Sequence, residues 1–380
     1  MWDPDLSPRT RSIVVWTLVV VGTLVVLVGS LTLWVKRQAL DTDSWVDTST
    51  QLLADDEVRQ QLSVYLVDQL YSNLDPQEAL AQGLPPNLQG LAAPLAGALR
   101  EPTVRAVDAF LQRPRVQQLW EEVNRRAHAA LLRLLGDDVR VDAISTAGGN
   151  VTLDLRPLLI EVGEALGIGE QLDTRLPADA AQFTILRSDQ LEAAQKGVKL
   201  VKVGSSLIVI LALLLFAAAV WLARKRRETL RNVGVALLLV GILLFVIRRV
   251  AGNYIVDALA TGEPVREAAN ATWLIGTSLL SQVAWALVLY ALAILIGTWF
   301  SGPSKYSTRA RGWLAPTLRD RPGIGWAVLG GVYLLLVLWA PVPALRNWVG
   351  VLVLGGLVAL GFEAFRRVTL SEAPPPARTA

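Results

Sequence analysis

The chain has no cysteine and a single histidine, His128, among its 380 residues. Without cysteine no disulfide can form, whatever the redox state of the compartment. Zinc sites built from histidine and cysteine are excluded too, because there is no second imidazole and no thiolate. The aspartates of residues 41–47 lack the central glycine and final glutamate of a calcium loop, and we expect them to cap a helix around Ser44 instead. We therefore predict no metal and no cofactor.

Charged residues are scarce in six long stretches that organise the chain. Hydrophobic residues make up 53% of the sequence, with a mean hydropathy of +0.42, and a helix needs about 20 mostly apolar residues to cross a bilayer. The first stretch is predicted to be an uncleaved signal anchor, because it is too long for a secretory leader and no small-residue cleavage site follows it. The six predicted spans are 13–35, 199–223, 232–248, 273–300, 323–340 and 344–365. They are separated by 1–12, 36–198, 224–231, 249–272, 301–322, 341–343 and 366–380.

Lysine and arginine are concentrated in alternate segments. If the N-terminus lies inside, the segments 1–12, 224–231, 301–322 and 366–380 hold 15 basic residues, whereas the short outer loops and the span ends beside them hold four. Short cytoplasmic loops carry such an excess, whereas a long loop is translocated regardless of charge. Both termini are therefore predicted to be cytoplasmic and residues 36–198 to lie outside. Arginine outnumbers lysine 30 to 6, a bias typical of GC-rich bacteria, so we predict the bacterial cytoplasmic membrane.

The overall pI of about 9.3 suggests nucleic acid at first sight. The distribution of charge favours another explanation, since residues 36–198 contain 24 acidic and 15 basic residues. The excess of basic residues belongs to the segments beside the spans, where it sets orientation. The predicted partners are therefore the lipid bilayer together with a protein partner or a second copy of the chain, and no nucleic acid.

The insert at 36–198 is predicted to be mostly helical. The order Asp75-Pro76-Gln77-Glu78 is typical of a helix start. Between Pro114 and Leu135, apolar residues recur at steps of three and four, which indicates an amphipathic helix. On its polar side, Glu121 and Glu122 each precede an arginine by four residues and are expected to form ion pairs with Arg125 and Arg126.

Alternating residues at 139–141 and 151–155, around the turn-forming 147–150, predict a β-hairpin, and 182–186 could add a third strand. A long helix is expected from Ser188 to Arg224, and another from Pro264, at its first position, to Phe300. The fold class is mainly α: a polytopic six-helix transmembrane bundle with a mostly helical extracytoplasmic domain carrying a small β element.

One face of the helix at 114–135 carries the candidate contact residues Trp120, Asn124 and His128. Histidine can act as an acid, a base or a pH sensor. A histidine hydrogen-bonded at the edge of the domain core is the simpler interpretation, and we predict no catalytic residue. Arg248 and Arg249 oppose the positive-inside pattern and are candidates for phosphate or partner contacts, although snorkelling explains them as well. The basic run 224–227 could bind anionic lipid headgroups, but orientation explains it without a further role.

The fourth predicted span contains the most polar membrane stretch, with Ser278, Ser281 and Gln282 spaced to face one side. These residues are candidates for lining a pathway, although such groups more often hydrogen-bond neighbouring helices. No predicted span carries an ionisable residue at its centre. Because ionisable residues at that depth mark proton pathways, their absence disfavours proton-coupled transport.

Three segments of the insert carry a resemblance: LPPNLQGLAAPLAGAL at 84–99, LWEEVNRRAHAALLRLL at 119–135 and NVTLDLRPLL at 150–159. Together with the acidic start after the first span, they resemble a group of uncharacterised actinobacterial integral membrane proteins. The resemblance implies a multi-pass protein with a large extracytoplasmic insert after the first span, and it implies no activity.

The function expected first is a non-enzymatic envelope protein whose acidic extracytoplasmic domain binds a partner. The alternatives are a transporter or channel component that uses the polar face of the fourth span, and an envelope lipid or glycan enzyme that uses acids such as Asp154 and Glu161.

Overall fold

The computed structural model describes most of the chain. The described residues are 7–74, 76–136, 144–145, 150–154, 182–260, 262–303, 321–339 and 348–372, with the single positions 306, 308, 309, 312, 313, 315, 319 and 345. Within them the chain forms twelve α-helices, one short 3-10 turn and three strands.

The first helix, α1, runs from Pro8 to Leu40 and contains the whole first predicted span. Ser7 caps it, because its Oγ accepts a hydrogen bond from the Thr10 amide at 3.2 Å. At 1.5 Å per residue its 33 residues measure about 50 Å. That length exceeds the roughly 30 Å of a hydrocarbon core, so α1 is long enough to cross a bilayer and continue beyond it.

Five helices follow α1: α2 (Thr42–Ala54), α3 (Asp56–Leu74), α4 (Pro76–Gly83), α5 (Ala92–Leu111) and α6 (Pro114–Leu134), with a 3-10 turn at Gln89–Leu91 before α5. The amphipathic helix predicted from Pro114 is confirmed, as is the helix start at Pro76, while Asp75 lies outside the described residues. Both predicted ion pairs of α6 form, at 3.5 Å for Glu121–Arg125 and 2.5 Å for Glu122–Arg126.

Capping of α2 differs from the prediction. The cap is Asp41, whose carboxylate accepts a hydrogen bond from the Ser44 amide at 2.8 Å. Ser44 therefore lies inside the first turn of α2. The single residue Asp55 separates α2 from α3 and accepts a hydrogen bond from the Val58 amide at 3.2 Å, so a carboxylate begins this helix as well.

Three strands pair antiparallel in the order β1 (Ile144–Ser145), β2 (Asn150–Asp154) and β3 (Gln182–Arg187). Asn150 pairs with Arg187 and Asp154 with Gln182, and the register shifts between Val151 and Thr152. The strand expected at 139–141 and the turn centre at 147–149 lie outside the described residues.

The remaining helices are α7 (Ser188–Leu222), α8 (Arg226–Leu259), α9 (Glu263–Gly276), α10 (Ser278–Phe300), α11 (Pro322–Trp339) and α12 (Trp348–Glu372). The long helix predicted from Ser188 forms over 35 residues. The helix predicted from Pro264 to Phe300 is wrong in two respects. It begins at Glu263, after Gly262, and it is broken at Thr277, whose φ of −104° and ψ of 13° are not helical.

Among the described residues, four helices are long and apolar enough to cross a membrane: α1, α7 from Ala193 onward, α8 and α10. A shorter apolar helix covers Gly323–Leu338. In the region of the fourth predicted span, 273–300, the candidate helix is Ser278–Phe300, and the break at Thr277 assigns 273–276 to α9.

Contacts divide the chain into two units. The apolar unit comprises residues 1–34, 204–249 and 278–380, and the polar unit comprises residues 35–203 and 250–277. The polar unit thus includes the end of α8 and all of α9, which packs against α2 and α3. The stretch 249–272, predicted as an extracytoplasmic loop, is almost entirely helical.

The apolar unit is built on two clusters of aliphatic side chains. One centres on Val19, Ala219 and Val233, and the other on Leu244, which is fully buried, with Leu280 and others. Glycine permits close approach between the helices of this unit. A Cβ added at Gly241 would lie 2.8 Å from the Val288 side chain, which leaves no room for alanine without movement.

The polar unit is built around a buried arginine. Arg59 is only 6% exposed. Its guanidinium donates to Asp108 at 2.9 Å, to Asp56 at 2.5 Å and to the Ala54 carbonyl at 3.0 Å. These bonds join the end of α2, the start of α3 and the end of α5. A buried guanidinium needs such a set of acceptors, because an unpaired charge in the interior is strongly destabilising.

Candidate functional site around His128

The candidate site forms where α2 and α6 pack antiparallel. Three contacts define their register: Asp43 with Arg125, Thr42 with His128, and the Ser49 carbonyl with the Trp120 indole. As the residue number rises along α2, that of its partner on α6 falls. The C-terminal half of α6 therefore lies beside the first turn of α2, directly after the end of α1.

His128 lies at the centre of this region and is only 4% exposed. Its Nδ1 and the Thr42 hydroxyl share a hydrogen bond of 3.1 Å. The imidazole stacks on the Trp45 indole, with ring centroids 5.0 Å apart and an angle of 14° between the planes. The sequence-based interpretation of a hydrogen-bonded histidine at the edge of the core agrees with this geometry.

A cavity of about 350 Å³ lies against the stacked pair. Its walls come from the end of α1, the start of α2, the last turns of α6 and the early part of α7, and its lining residues are Val35, Ala39, Leu40, Trp45, His128, Leu131, Leu135, Gly197, Val198 and Val201. The walls are aliphatic apart from the two rings. Apolar walls with one or two polar groups at this volume are typical of small-molecule sites.

Burial lowers the pKa of His128 below its ordinary value of about 6.5, because the cation would lose its hydration there. A hydrogen bond with the Ala39 backbone and the charge of Asp41 oppose the shift but do not cancel it. At neutral pH the imidazole is therefore uncharged, and the cavity presents a neutral wall to any ligand.

Trp120 and Asn124 lie on the same side of α6 but serve its packing. The Trp120 indole donates to the Ser49 carbonyl at 3.1 Å, and the Asn124 amide donates to the Trp120 carbonyl at 2.9 Å. Neither residue lines the cavity. Of the three candidates on this face, the structure brings only His128 to the cavity.

The remaining candidates do not line this cavity. Arg248 and Arg249 occur within α8, ten residues before its end, with Arg248 half-buried and Arg249 exposed. Ser278 is the first residue of α10, and the Ser281 hydroxyl donates to the Ser278 carbonyl at 2.7 Å. The polar group of Ser278, Ser281 and Gln282 thus occupies the first turns of its helix, and this location gives no support to a pathway through the middle of a span.

The carboxylates considered for cation binding are engaged elsewhere. Asp41 caps α2, Asp43 pairs with Arg125 at 2.5 Å, and Asp47 accepts a hydrogen bond from Gln51 at 2.8 Å. Over the described ranges there is no group of three or more histidine, aspartate or glutamate side chains that could hold a metal ion. Of the two acids considered for catalysis, Glu161 lies outside the described residues and Asp154 belongs to β2.

Several residues of the site were not foreseen. Trp45 and Thr42 approach His128 across more than 80 positions of sequence, and Gly197 and Val198 come from α7. Only two features of the sequence pointed to this site: a tryptophan shortly after the first predicted span, and a histidine on the apolar side of an amphipathic helix.

Comparisons of the chain with family models, with curated proteins and with solved structures found no match.

Proposed function

We propose that the protein is a multi-pass protein of the bacterial cytoplasmic membrane with six spans. In this proposal both termini are cytoplasmic and residues 36–198 form an extracytoplasmic domain with its small β element, as in the actinobacterial group that the insert resembles. Four long apolar helices support the membrane assignment. The apolar sequences of α11 and α12 support a fifth and a sixth span, and the uneven distribution of arginine supports the orientation.

The function proposed for the extracytoplasmic domain is binding without catalysis, and its partner is an apolar molecule held in the cavity beside His128. The cavity is the observation that carries this proposal. An acyl or isoprenoid chain suits the cavity, because moving apolar surface from water into contact with aliphatic walls is energetically favourable. A polar ligand would lose its hydration on entering the cavity and would form few hydrogen bonds with these walls.

The place of the cavity in the sequence supports a lipid source for the ligand. Val35 is the last residue of the first predicted span, and Val201 is close to the start of the second. A cavity bounded by these residues lies within a few residues of the bilayer surface if the spans are correct. A lipid chain could then reach it without crossing much water. A protein partner for the acidic surface of the domain is compatible with this arrangement.

Glycine positions on α7 provide the test of binding. Gly197 lines the cavity, and a Cβ added there meets nothing within 4 Å. Gly204 on the same helix also has open space and does not line the cavity. In Gly197→Leu the new side chain should fill part of the cavity, while Gly204→Leu makes the same chemical change elsewhere.

The assay is photolabelling of the full-length protein in native membranes with a diazirine-bearing fatty acid. Labelled peptides from α2 and α6 are then identified by mass spectrometry, since these helices lie outside the spans. We expect labelling near Trp45 and Leu131, reduced at least fivefold by Gly197→Leu and unchanged by Gly204→Leu. Equal labelling of both variants, or labelling confined to the spans, would refute the binding proposal.

Orientation has its own test, which the absence of cysteine makes simple. Gln77 and Arg309 are exposed and occur in segments proposed to lie on opposite sides. A membrane-impermeant maleimide should label Gln77→Cys in intact cells and Arg309→Cys only after lysis. The reverse pattern would invert the topology.

A further inference from the structure

A second cavity, of about 280 Å³, lies within the apolar unit. It is formed by the first turns of α1, the link between α7 and α8, and the first turns of α8. It is distinct from the cavity beside His128 and shares no residue with it.

The lining of this cavity combines charged and apolar side chains. Three lining residues are basic, Arg11, Arg224 and Lys225, and one, Glu228, is acidic. In the turns of α1 after Arg11 the lining residues are Val15, Trp16 and Val19, whereas α8 contributes the polar Thr229 and Asn232. Basic side chains beside an apolar and aromatic helix face match a phospholipid, which has an anionic phosphate joined to alkyl chains.

The structure separates the basic run 224–227 into residues with different contacts. Arg227 donates through Nε to the Thr298 carbonyl at 3.0 Å and so belongs to the end of α10. Lys225 pairs with Glu228 at 3.0 Å. Arg224 lines the cavity, whereas neither Arg226 nor Arg227 does. The four residues therefore differ in their contacts. A substitution of Arg224, which lines the cavity, can be compared with the same substitution of Arg226, which does not.

Arg11 is held in place across the cavity. Its Nε donates to the Leu222 carbonyl at 2.5 Å, at the end of α7. This bond uses one of the five donors of the guanidinium, and among the described residues no other side-chain bond of Arg11 occurs, so four donors remain for an anion there. Arginine presents a planar fork that binds phosphate through two hydrogen bonds, which favours a phosphate over a smaller anion.

We propose that this cavity binds the phosphate of an anionic phospholipid between Arg11 and Arg224, with the start of an alkyl chain along Val15, Trp16 and Val19. Basic pockets between membrane helices are known sites for anionic headgroups. Lys225 is largely neutralised by Glu228 and contributes less than Arg224. The proposal does not depend on the ligand of the cavity beside His128.

The test is native mass spectrometry of the full-length protein in detergent, titrated with phosphatidylglycerol and with phosphatidylcholine of the same chains. Arg224→Gln should weaken phosphatidylglycerol binding about fivefold, because it removes a guanidinium that lines the cavity and can donate to the phosphate. Arg226→Gln removes the same charge two positions away and should change binding less than twofold. Glu228→Gln removes the opposing carboxylate and should strengthen binding.

Two results would overturn the proposal. One is an equal loss in Arg224→Gln and Arg226→Gln, which would indicate attraction by net charge alone. The other is equal binding of the two lipids by the unmodified protein. A titration with inorganic phosphate distinguishes a lipid headgroup from free phosphate as the ligand. If millimolar phosphate raises the Tm through Arg224 and no preference for phosphatidylglycerol is seen, the site takes free phosphate and the lipid assignment is wrong.

Discussion

The two units of the molecule achieve packing by opposite means. In the apolar unit, glycine and alanine allow helices to approach closely, and hydroxyl groups such as that of Ser30 donate to a carbonyl of their own helix. In the polar unit, ion pairs cross from one helix to another, joining Arg59 to Asp108, Arg100 to Asp68 and Arg125 to Asp43. Steric fit determines how the helices of the apolar unit pack. In the polar unit, steric fit and ion pairing determine it together.

The difference follows from the solvent expected around each unit. Lipid chains are as apolar as leucine, so helices in a bilayer gain little by burying leucine and associate through close fit. In water, burial of apolar surface drives helices together with little directional preference. Charged pairs then select one register among several, since a wrong alignment leaves a charge unpaired. Each unit should therefore be most sensitive to a different kind of substitution.

The largest effect is expected at the charged centre of the polar unit. Arg59→Leu removes the guanidinium of a residue that is 6% exposed, so Asp108 keeps only its bond from Gln112 and the Ala54 carbonyl loses the Arg59 donor. We expect a loss of about 3 kcal/mol in the free energy of unfolding. Chemical denaturation of the full-length protein in detergent measures it. Asp56→Asn is the control, because that carboxylate side chain is 88% exposed and should contribute less than about 1 kcal/mol. Similar losses in both variants would contradict a buried charged centre.

The next effect tests close fit in the apolar unit. Gly241→Ala places a Cβ 2.8 Å from Val288 and 3.1 Å from the Ala284 carbonyl, so α8 and α10 must separate. We expect a loss of about 2 kcal/mol from this overpacking. Gly330→Ala is the matched control. Nothing lies within 4 Å of a Cβ there, and the change should be neutral or stabilise its helix by about 0.5 kcal/mol. Equal effects at both glycines would show that close approach does not hold this unit together.

The smallest effect concerns the single histidine. Burial lowers the pKa of His128, so as the pH falls below about 6.5 the unfolded chain takes up a proton more readily than the folded one. Stability should therefore decline from that pH downward, through the folded-state pKa. The Tm of the unmodified protein, measured between pH 7.5 and 5, should fall more steeply than that of His128→Gln. Identical slopes would mean that His128 does not contribute to the pH dependence.

Local features were predicted well from the sequence. The α6 helix ends within one residue of its predicted limit, and its two ion pairs of four-residue spacing are present. Helical periodicity, capping preferences and hydropathy act over a few turns, so they can be read without knowing the rest of the fold. The N-cap of α2 was expected around Ser44 and lies at Asp41, so its position was predicted to within three residues.

Long-range features were not predicted. The break at Thr277 lies in a stretch whose composition suits a continuous helix. There the chain passes from α9, which packs in the polar unit, to α10, which packs in the apolar unit. The burial of Arg59 at the centre of the polar unit was not predicted from the sequence either. An arginine is rarely buried, and its partner Asp108 on α5 is 49 positions away.

By itself, the sequence determined the stretches in which four long apolar helices form, and it determined the amphipathic helix α6 with its ends. These properties depend on neighbouring residues alone. Only the tertiary structure decided that Trp45, His128 and Gly197 surround one cavity, and that Arg224 rather than Arg226 lines another. The first grouping depends on the antiparallel register of α2 with α6 and on the early part of α7 beside them. The second depends on how the start of α1 packs beside the link between α7 and α8. Packing between distant segments establishes both.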